Sequence, residues 1–278
     1  MESALDYTQR LLRRGARAYK SMGQNFLIDD NVIEQIVLAS ELKPETLLVE
    51  VGPGLGVLTR ILARQVRKMW AVELDSKKIE ILQRELQGLP VEIINGDALQ
   101  LKLTQLWGKA QGFLIGNLPY YITSPLIMHF LEQSAYLSGM TIMVQEEVAD
   151  RLAARPGGKA YGVLSIAVQI AAEAEKVMRV PAEAFWPVPK VNSALVRLRL
   201  RAYPGISDKK TFLKIVKAGF GQRRKTMANS LSAGLQLSKE TVSLKLSELG
   251  IDEKRRSETV SIDEFIRLSE SLRQLIPD

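Results

Sequence analysis

The chain has 278 residues, 46% hydrophobic and 25% charged, which is the composition of a soluble globular protein long enough to bury a core without covalent staples. It has no cysteine and one histidine, His129, which excludes disulfides, thiolate zinc sites, iron–sulfur clusters, a Cys nucleophile and any multi-His metal centre, so no metal is expected. The 38 Lys and Arg against 31 Asp and Glu leave a formal net charge of +7, which suits a polyanionic partner.

In chain order, Met1–Lys20 is charged and lacks the apolar stretch of a secretory signal. No apolar run approaches the length of a membrane span, so a soluble cytoplasmic protein is expected. Asp29 and Asp30 can cap a helix carrying Ile33, Ile36 and Val37 on one face. Short apolar runs then alternate with helical patterns. Strands are predicted over Leu47–Val51, Met69–Leu74, Val91–Ile94, Phe113–Ile115 and Met140–Val144, with an amphipathic helix over Ser76–Leu86. That alternation predicts an α/β fold, a parallel Rossmann-like sheet with helices on both faces. His129 falls in the apolar helical segment Leu126–Leu131 and reads as structural.

Val177–Val180 and Ala194–Leu200 read as two further strands, joined by the proline-rich ordered loop Pro181–Ser193. Beyond Tyr203-Pro204-Gly205 only helical patterns remain. Phe212, Val216 and Phe220 form one stripe, and Val242, Leu246 and Leu249 another, stopped by Gly250. Ser261 and Glu264 form a capping box for a last helix bearing Phe265, Leu268, Leu272 and Leu275. A boundary near Ala202 is expected, with an α/β domain over 1–202 and a helical domain over 203–278.

Ligands of open α/β sheets bind at the carboxyl ends of the strands, and three consecutive strand ends carry suitable groups. The first runs into Gly52-Pro53-Gly54-Leu55-Gly56 and a helix beginning near Val57. The spacing lacks the third glycine of a dinucleotide fingerprint, and no Lys-Ser/Thr pair follows as in a triphosphate loop. Glu73, about 20 residues on, can take both ribose hydroxyls. Asp97, in Asn95-Gly96-Asp97-Ala98, can accept from an adenine amino group, though Asp is also a common turn former. An adenosine without phosphate fits this set best, which points to S-adenosylmethionine.

The fourth strand ends in Asn117-Leu118-Pro119-Tyr120. The exocyclic nitrogen of adenine is a poor nucleophile because its lone pair is delocalised. The Asn117 carboxamide oxygen and the Leu118 carbonyl can accept its two N–H bonds, favouring a pyramidal nitrogen aimed at the methyl donor. Pro119 stiffens the turn, and Tyr120 offers a ring to the base. Positioning and desolvation then do most of the catalytic work. Phe185, on the stiff loop with Pro187 and Pro189, suits base stacking as well as interface packing, whereas Trp186 reads as packing. Lys190 and the run Arg223-Arg224-Lys225 can hold phosphates. Residues 203–278 carry 14 Lys and Arg against 10 Asp and Glu, and residues 1–25 carry five against two, so the basic excess sits at the two ends of the chain.

With these motifs the chain resembles the ribosomal RNA adenine N6-dimethyltransferases, in particular the bacterial 16S branch, which dimethylates two adjacent adenosines near the 3′ end of small-subunit RNA. The resemblance spans nearly the whole chain. It rests on Gly23-Gln24-Asn25-Phe26-Leu27, Glu50-Val51-Gly52-Pro53-Gly54, Glu73-Leu74-Asp75, Gly116-Asn117-Leu118-Pro119-Tyr120, Phe185-Trp186-Pro187-Val188-Pro189-Lys190-Val191 and Gly221-Gln222-Arg223-Arg224-Lys225-Thr226. It implies cofactor contacts at Asn25, Leu27, Gly52, Glu73, Asp97 and Asn117, to which the glycine turn adds Gly54. It further implies that Phe185 stacks on an extruded adenine opposite Tyr120, and that the chain acts on the small ribosomal subunit, with a monomer expected. The rivals are a large-subunit enzyme of the macrolide-resistance type, a non-catalytic nucleic-acid-binding relative, and a small-molecule or protein amine methyltransferase. The first usually carries Ile where this chain has Leu118.

Overall fold

The alternation of apolar runs and amphipathic stretches folds as one twisted sheet in the computed structural model, which describes residues 2–19 and 23–276. Lys20, counted above among the basic N-terminal residues, lies outside the described residues. The elements run α1 (Ala4–Arg13), β1 (Phe26–Leu27), α2 (Asp30–Ser40), β2 (Leu47–Val51), α3 (Thr59–Leu62), β3 (Lys68–Glu73), α4 (Ser76–Glu85), β4 (Val91–Asn95), α5 (Leu103–Trp107), β5 (Gly112–Asn117), α6 (Thr123–Glu132), β6 (Leu137–Gln145), α7 (Glu146–Leu152), α8 (Val163–Gln169), β7 (Ala172–Val180), β8 (Phe185–Trp186) and β9 (Ser193–Leu200). Four helices follow, α9 (Lys209–Phe220), α10 (Met227–Leu235), α11 (Lys239–Glu248) and α12 (Ile262–Leu272).

Seven strands pair in the order β4-β3-β2-β5-β6-β9-β7. The first five are parallel and β9 runs antiparallel to β6. The order reverses between β2 and β5. At such a switch point the connections leave towards opposite sides and open a crevice beyond the strand ends. The continuous apolar runs of β2, β3, β5 and β6 are buried, as parallel strands covered on both faces require.

Packing divides the chain into two units, residues 1–149 with 173–200, and residues 150–172 with 201–278. The second unit therefore takes in 150–172 as well as the stretch after Leu200, which a single boundary near Ala202 does not separate. Tyr161, Ile166 and Ile170 are the cause. They are buried in one apolar cluster with Phe212, Val216, Leu231, Val242 and Phe265. A segment that precedes three strands in sequence thus completes the helical core in space.

Other differences are local. The basic N-terminus forms α1, capped by Ser3 and buried along Ala4, Tyr7 and Leu11, an i, i+3, i+7 stripe. The Tyr7 hydroxyl donates to the Leu55 carbonyl at 2.9 Å, which ties this helix to the glycine turn. Phe26–Leu27 pairs with Phe185–Trp186 as a separate two-stranded ribbon, too short to show a period in sequence. Asp29 caps α2, and Ser261 and Glu264 form their capping box on α12.

Candidate active site

One cavity opens at the carboxyl ends of β2, β3, β4 and β5, all within the α/β unit. It is lined by Asn25, Leu27, Gly52, Gly54, Glu73, Asp97, Asn117, Leu118, Pro119 and Tyr120. Ten positions scattered over almost a hundred residues of sequence thus meet at the switch point.

The turn after β2 is built for backbone approach. Gly52 and Gly54 have φ of +70° and +59°, the left-handed region that favours glycine. A side chain at Gly54 would also press its Cβ to 3.2 Å from the Phe26 ring. The helix expected near Val57 begins only at Thr59 and lasts four residues. The intervening turn is closed by Gly56 N–H donating to the Pro53 carbonyl at 2.9 Å.

Glu73 is buried at the end of β3. Its two oxygens accept from the Gly54 and Asp75 amides at 3.1 and 3.0 Å, so the carboxylate is aimed by the backbone. Burial pushes its pKa up despite those bonds and the nearby Lys78. Glu50, which also lines the cavity, is buried against Thr59, whose hydroxyl donates to it at 2.6 Å. Burial, with Glu73 nearby, raises Glu50 to about 7. Asp97 spends one oxygen on the Leu99 amide at 2.9 Å, the turn-forming role open to any Asp, and still lines the cavity.

At the end of β5 the Asn117 side chain has an assigned direction. Its Nδ2 donates to the Asn25 carbonyl at 3.0 Å, leaving Oδ1 as its acceptor. The Leu118 amide donates to the Met143 carbonyl at 3.1 Å, and the Pro119 carbonyl accepts from the Thr123 hydroxyl at 2.9 Å. The turn is thus held from β6 and from α6. Tyr120 is half-buried, with its hydroxyl 2.7 Å from Ser193 Oγ, and burial raises its pKa against that hydrogen bond. The chemistry open to this arrangement is neutral acceptance of hydrogen bonds, with no strong base among these groups. His129 lies elsewhere, its Nε2 2.8 Å from the Leu101 carbonyl, in a structural role.

Of the two aromatics of the proline-rich loop, Phe185 takes the packing role and Trp186, expected to pack, is the more exposed. Phe185 is 0% exposed and packs in the apolar core of the α/β unit, whereas Trp186 is 40% exposed and stacks on Phe26 at 6.3 Å between centroids. Successive strand residues face opposite ways, and pairing with β1 decides which of the two is inside. Phe185 as folded therefore presents no face to a base. Lys190 is exposed on the same loop.

Arg223, Arg224 and Lys225 belong to the helical unit and are all exposed. They occupy the turn between α9 and α10, not a helix, so helical spacing does not dictate their directions. Arg223 donates to the Lys159 carbonyl. Among the N-terminal arginines, Arg13, Arg14 and Arg17 are exposed, whereas Arg10 is paired with Glu2 and Glu85. Three supporting groups escaped the sequence reading. Ser193 holds Tyr120, Lys78 holds Asp75, and Gln24 joins that pair. Ser193 and Lys78 sit at unremarkable positions in their own elements, and only the fold reveals their neighbours. Among the described residues there is no cluster of potential metal ligands and no helix long and apolar enough to cross a membrane.

The chain is similar to known proteins. A family model described as ribosomal RNA adenine dimethylase matches residues 15–274. A ribosomal RNA small subunit methyltransferase A of Desulfitobacterium hafniense is 60% identical over 273 residues, which is 98% of each chain. Among solved structures, the 23S rRNA methyltransferase ErmE is 30% identical with a TM-score of 0.70, covering 90% of this chain and 100% of its own. A dimethyladenosine transferase of Plasmodium falciparum shares the fold at 23% identity, with a TM-score of 0.78 over 89% of this chain and 97% of its own.

Proposed function

The chain belongs to the ribosomal RNA adenine dimethylases, and on that premise we propose that it moves methyl groups from S-adenosylmethionine to the N6 amino groups of two adjacent adenosines near the 3′ end of small-subunit (16S) ribosomal RNA, acting as a monomer in the cytoplasm. The observation that carries this reading is the fixed Asn117 carboxamide on a cavity that also holds Glu73 and the open glycine turn. The 60% identity to a small-subunit enzyme, against 30% to ErmE, favours the small-subunit target over the large-subunit one.

The donor set suits an adenosine sulfonium. Gly52 and Gly54 leave the backbone bare, the Glu73 carboxylate meets a ribose edge, and Asp97 accepts from an amino group. Among the described residues no cation lines the cavity to hold phosphate. Asn25, Leu27 and Asn117 complete the wall. When bound, the cofactor supplies an electrophilic methyl group. The protein supplies the geometry. In the first transfer Asn117 Oδ1 and the Leu118 carbonyl accept the two amino hydrogens of adenine, so the nitrogen lone pair turns out of the ring plane towards the methyl group. The nitrogen then loses one proton to solvent, and the remaining N–H keeps one of the two acceptors for the second transfer. The acceptors are set before the substrate arrives, by the bonds to the Asn25 and Met143 carbonyls and from the Thr123 hydroxyl, and so cost no reorganisation. Tyr120, anchored on Ser193, stacks on the base. Lys190 and the exposed run Arg223, Arg224 and Lys225 take RNA phosphates. Phe185 supports the site from below by holding β1.

The test is transfer of labelled methyl from S-adenosylmethionine to small ribosomal subunits that lack the modification, with nucleosides read by mass spectrometry and the position mapped. Dimethyladenosine at two neighbouring positions of small-subunit RNA is expected. Transfer confined to large-subunit RNA, or absent altogether, contradicts the reading.

A further inference from the structure

Lys78 is 2% exposed, a rare state for a lysine. It is the third residue of α4, a position any helix former could occupy. A buried ammonium is tolerated only where it is well partnered. Its Nζ lies 2.6 Å from Asp75 Oδ2 and 2.7 Å from Gln24 Oε1, and it sits 5.4 and 5.6 Å from the ring centroids of Tyr19 and Phe26.

Both partners lead into the methyl-transfer site. The Asp75 amide donates to Glu73 Oε1, so one arm of the contact ends on the carboxylate proposed for the ribose. Gln24 opens the stretch Gln24-Asn25-Phe26. Its Oε1 also accepts from the Tyr19 amide, and its Nε2 donates to Asp75 Oδ2 at 3.3 Å. The next residue, Asn25, gives its carbonyl to Asn117 Nδ2, and Phe26 lies over Gly54. The second arm therefore ends on the carboxamide that sets the reacting nitrogen. Hydrogen bonds within Gly23–Phe26 do not fix it in place by themselves; Asn25 Nδ2 to the Gly23 carbonyl, at 3.2 Å, is internal to the segment.

We infer that Lys78 is a positioning residue of the methyl-transfer site, its buried ammonium clamping Gln24 to Asp75 so that the Asn25 carbonyl holds the Asn117 carboxamide in its working orientation. The inference rests on the role proposed above for Asn117. It predicts that the ammonium acts on the chemical step through Asn117, and not only on folding.

The experiment uses the full chain and unmodified small ribosomal subunits, at saturating S-adenosylmethionine, in single turnover. Lys78→Met keeps the stem against the two rings and removes the charge. Gln24→Leu keeps both members of the Lys78–Asp75 pair and removes the side chain that ties them to the segment, together with its bonds from the Tyr19 amide and to Asp75. Each is expected to slow methylation about ten-fold or more, with Gln24→Leu melting near the wild-type temperature. The decisive reading is the cycle with Asn117→Ala. If Lys78 works through Asn117, adding Lys78→Met or Gln24→Leu to Asn117→Ala should cost little further rate. Wild-type rates in Gln24→Leu, or full additivity with Asn117→Ala, overturn the inference and leave the role of Asn117 standing. A wild-type rate in Asn117→Ala alone overturns the catalytic reading itself. Should Lys78→Met fail to fold, Gln24→Leu carries the test.

Discussion

Glu50, Arg60, Glu73, Asp75 and Lys78 are buried in the α/β unit, whereas the helical unit buries no charged side chain among its described residues, only the serines 165, 230, 257 and 269 and the Tyr161 ring. Burying charge is costly wherever hydrogen bonds and opposite charges do not compensate it. The α/β unit carries that cost around the glycine turn and the ends of β2 and β3, where a polar ligand can use the result. The helical unit keeps its cations outside, with Arg223, Arg224 and Lys225 all on the surface, and packs Phe212, Leu231 and Phe265 into an uncharged core. One unit is strained towards binding a small polar molecule. The other keeps its charged side chains on its exterior.

If that contrast is right, damage to the helical core should be costly to stability and silent in the cofactor site. Phe265 is fully buried and stacks on Phe220 at 5.9 Å. Phe265→Ala should remove about 3–5 kcal/mol of stability, measured by urea unfolding. Calorimetric affinity for S-adenosylmethionine should stay at the wild-type value, and a parallel loss of affinity would break the comparison.

The buried charge of the α/β unit makes its own stability pH-dependent. Glu50 ionises near 7 in the fold against an ordinary 4.5, so the folded protein retains a proton that the unfolded chain releases between those values. Its penalty is absent below pH 4.5, grows as pH rises towards 7, and persists above, reaching roughly 3 kcal/mol. Glu50→Gln should therefore raise the melting temperature of the ligand-free protein at pH 8 and leave it unchanged at pH 4.5. An equal shift at both would remove ionisation as the cause.

Glu73→Gln keeps the shape and loses the charge. Loss of a charge-assisted contact of ~1.5–3 kcal/mol should weaken cofactor binding by about ten- to a hundred-fold. Unchanged affinity in a folded variant would take Glu73 out of the ribose site. The smallest effect belongs to the helical unit. Changing Arg223, Arg224 and Lys225 together to Gln should leave cofactor affinity intact and flatten the log–log salt dependence of subunit binding by about one to two units. An unaltered slope would reduce the run to a solvated turn and leave docking to Arg13, Arg14 and Arg17.

The same contrast explains what was legible in the sequence. Four of the five parallel strands, β2, β3, β5 and β6, could be read because buried parallel strands are continuous apolar runs, and the helical unit could be read from its 3.6-residue stripes and its capping box at Ser261. The glycine turn, Glu73, Asp97 and Asn117 were visible because each lies at or just beyond the carboxyl end of a strand, where the fold class predicts ligands. Features decided by distant pairing were not. Whether Phe185 or Trp186 faces inward depends on Phe26–Leu27, some 160 residues earlier. The membership of residues 150–172 depends on where Tyr161 finds apolar neighbours. The burial of Lys78 depends on a segment more than 50 residues before it.

The central claim is that the Asn117 carboxamide, held by Asn25, organises the amino group that receives the methyl. Single-turnover methylation of unmodified small subunits by Asn117→Ala, at demonstrated cofactor saturation, tests it most directly. The expected result is a rate lowered by about 100- to 1,000-fold, the scale of losing one preorganised hydrogen-bonding group, with subunit affinity unchanged. A rate within a few-fold of wild type would contradict it.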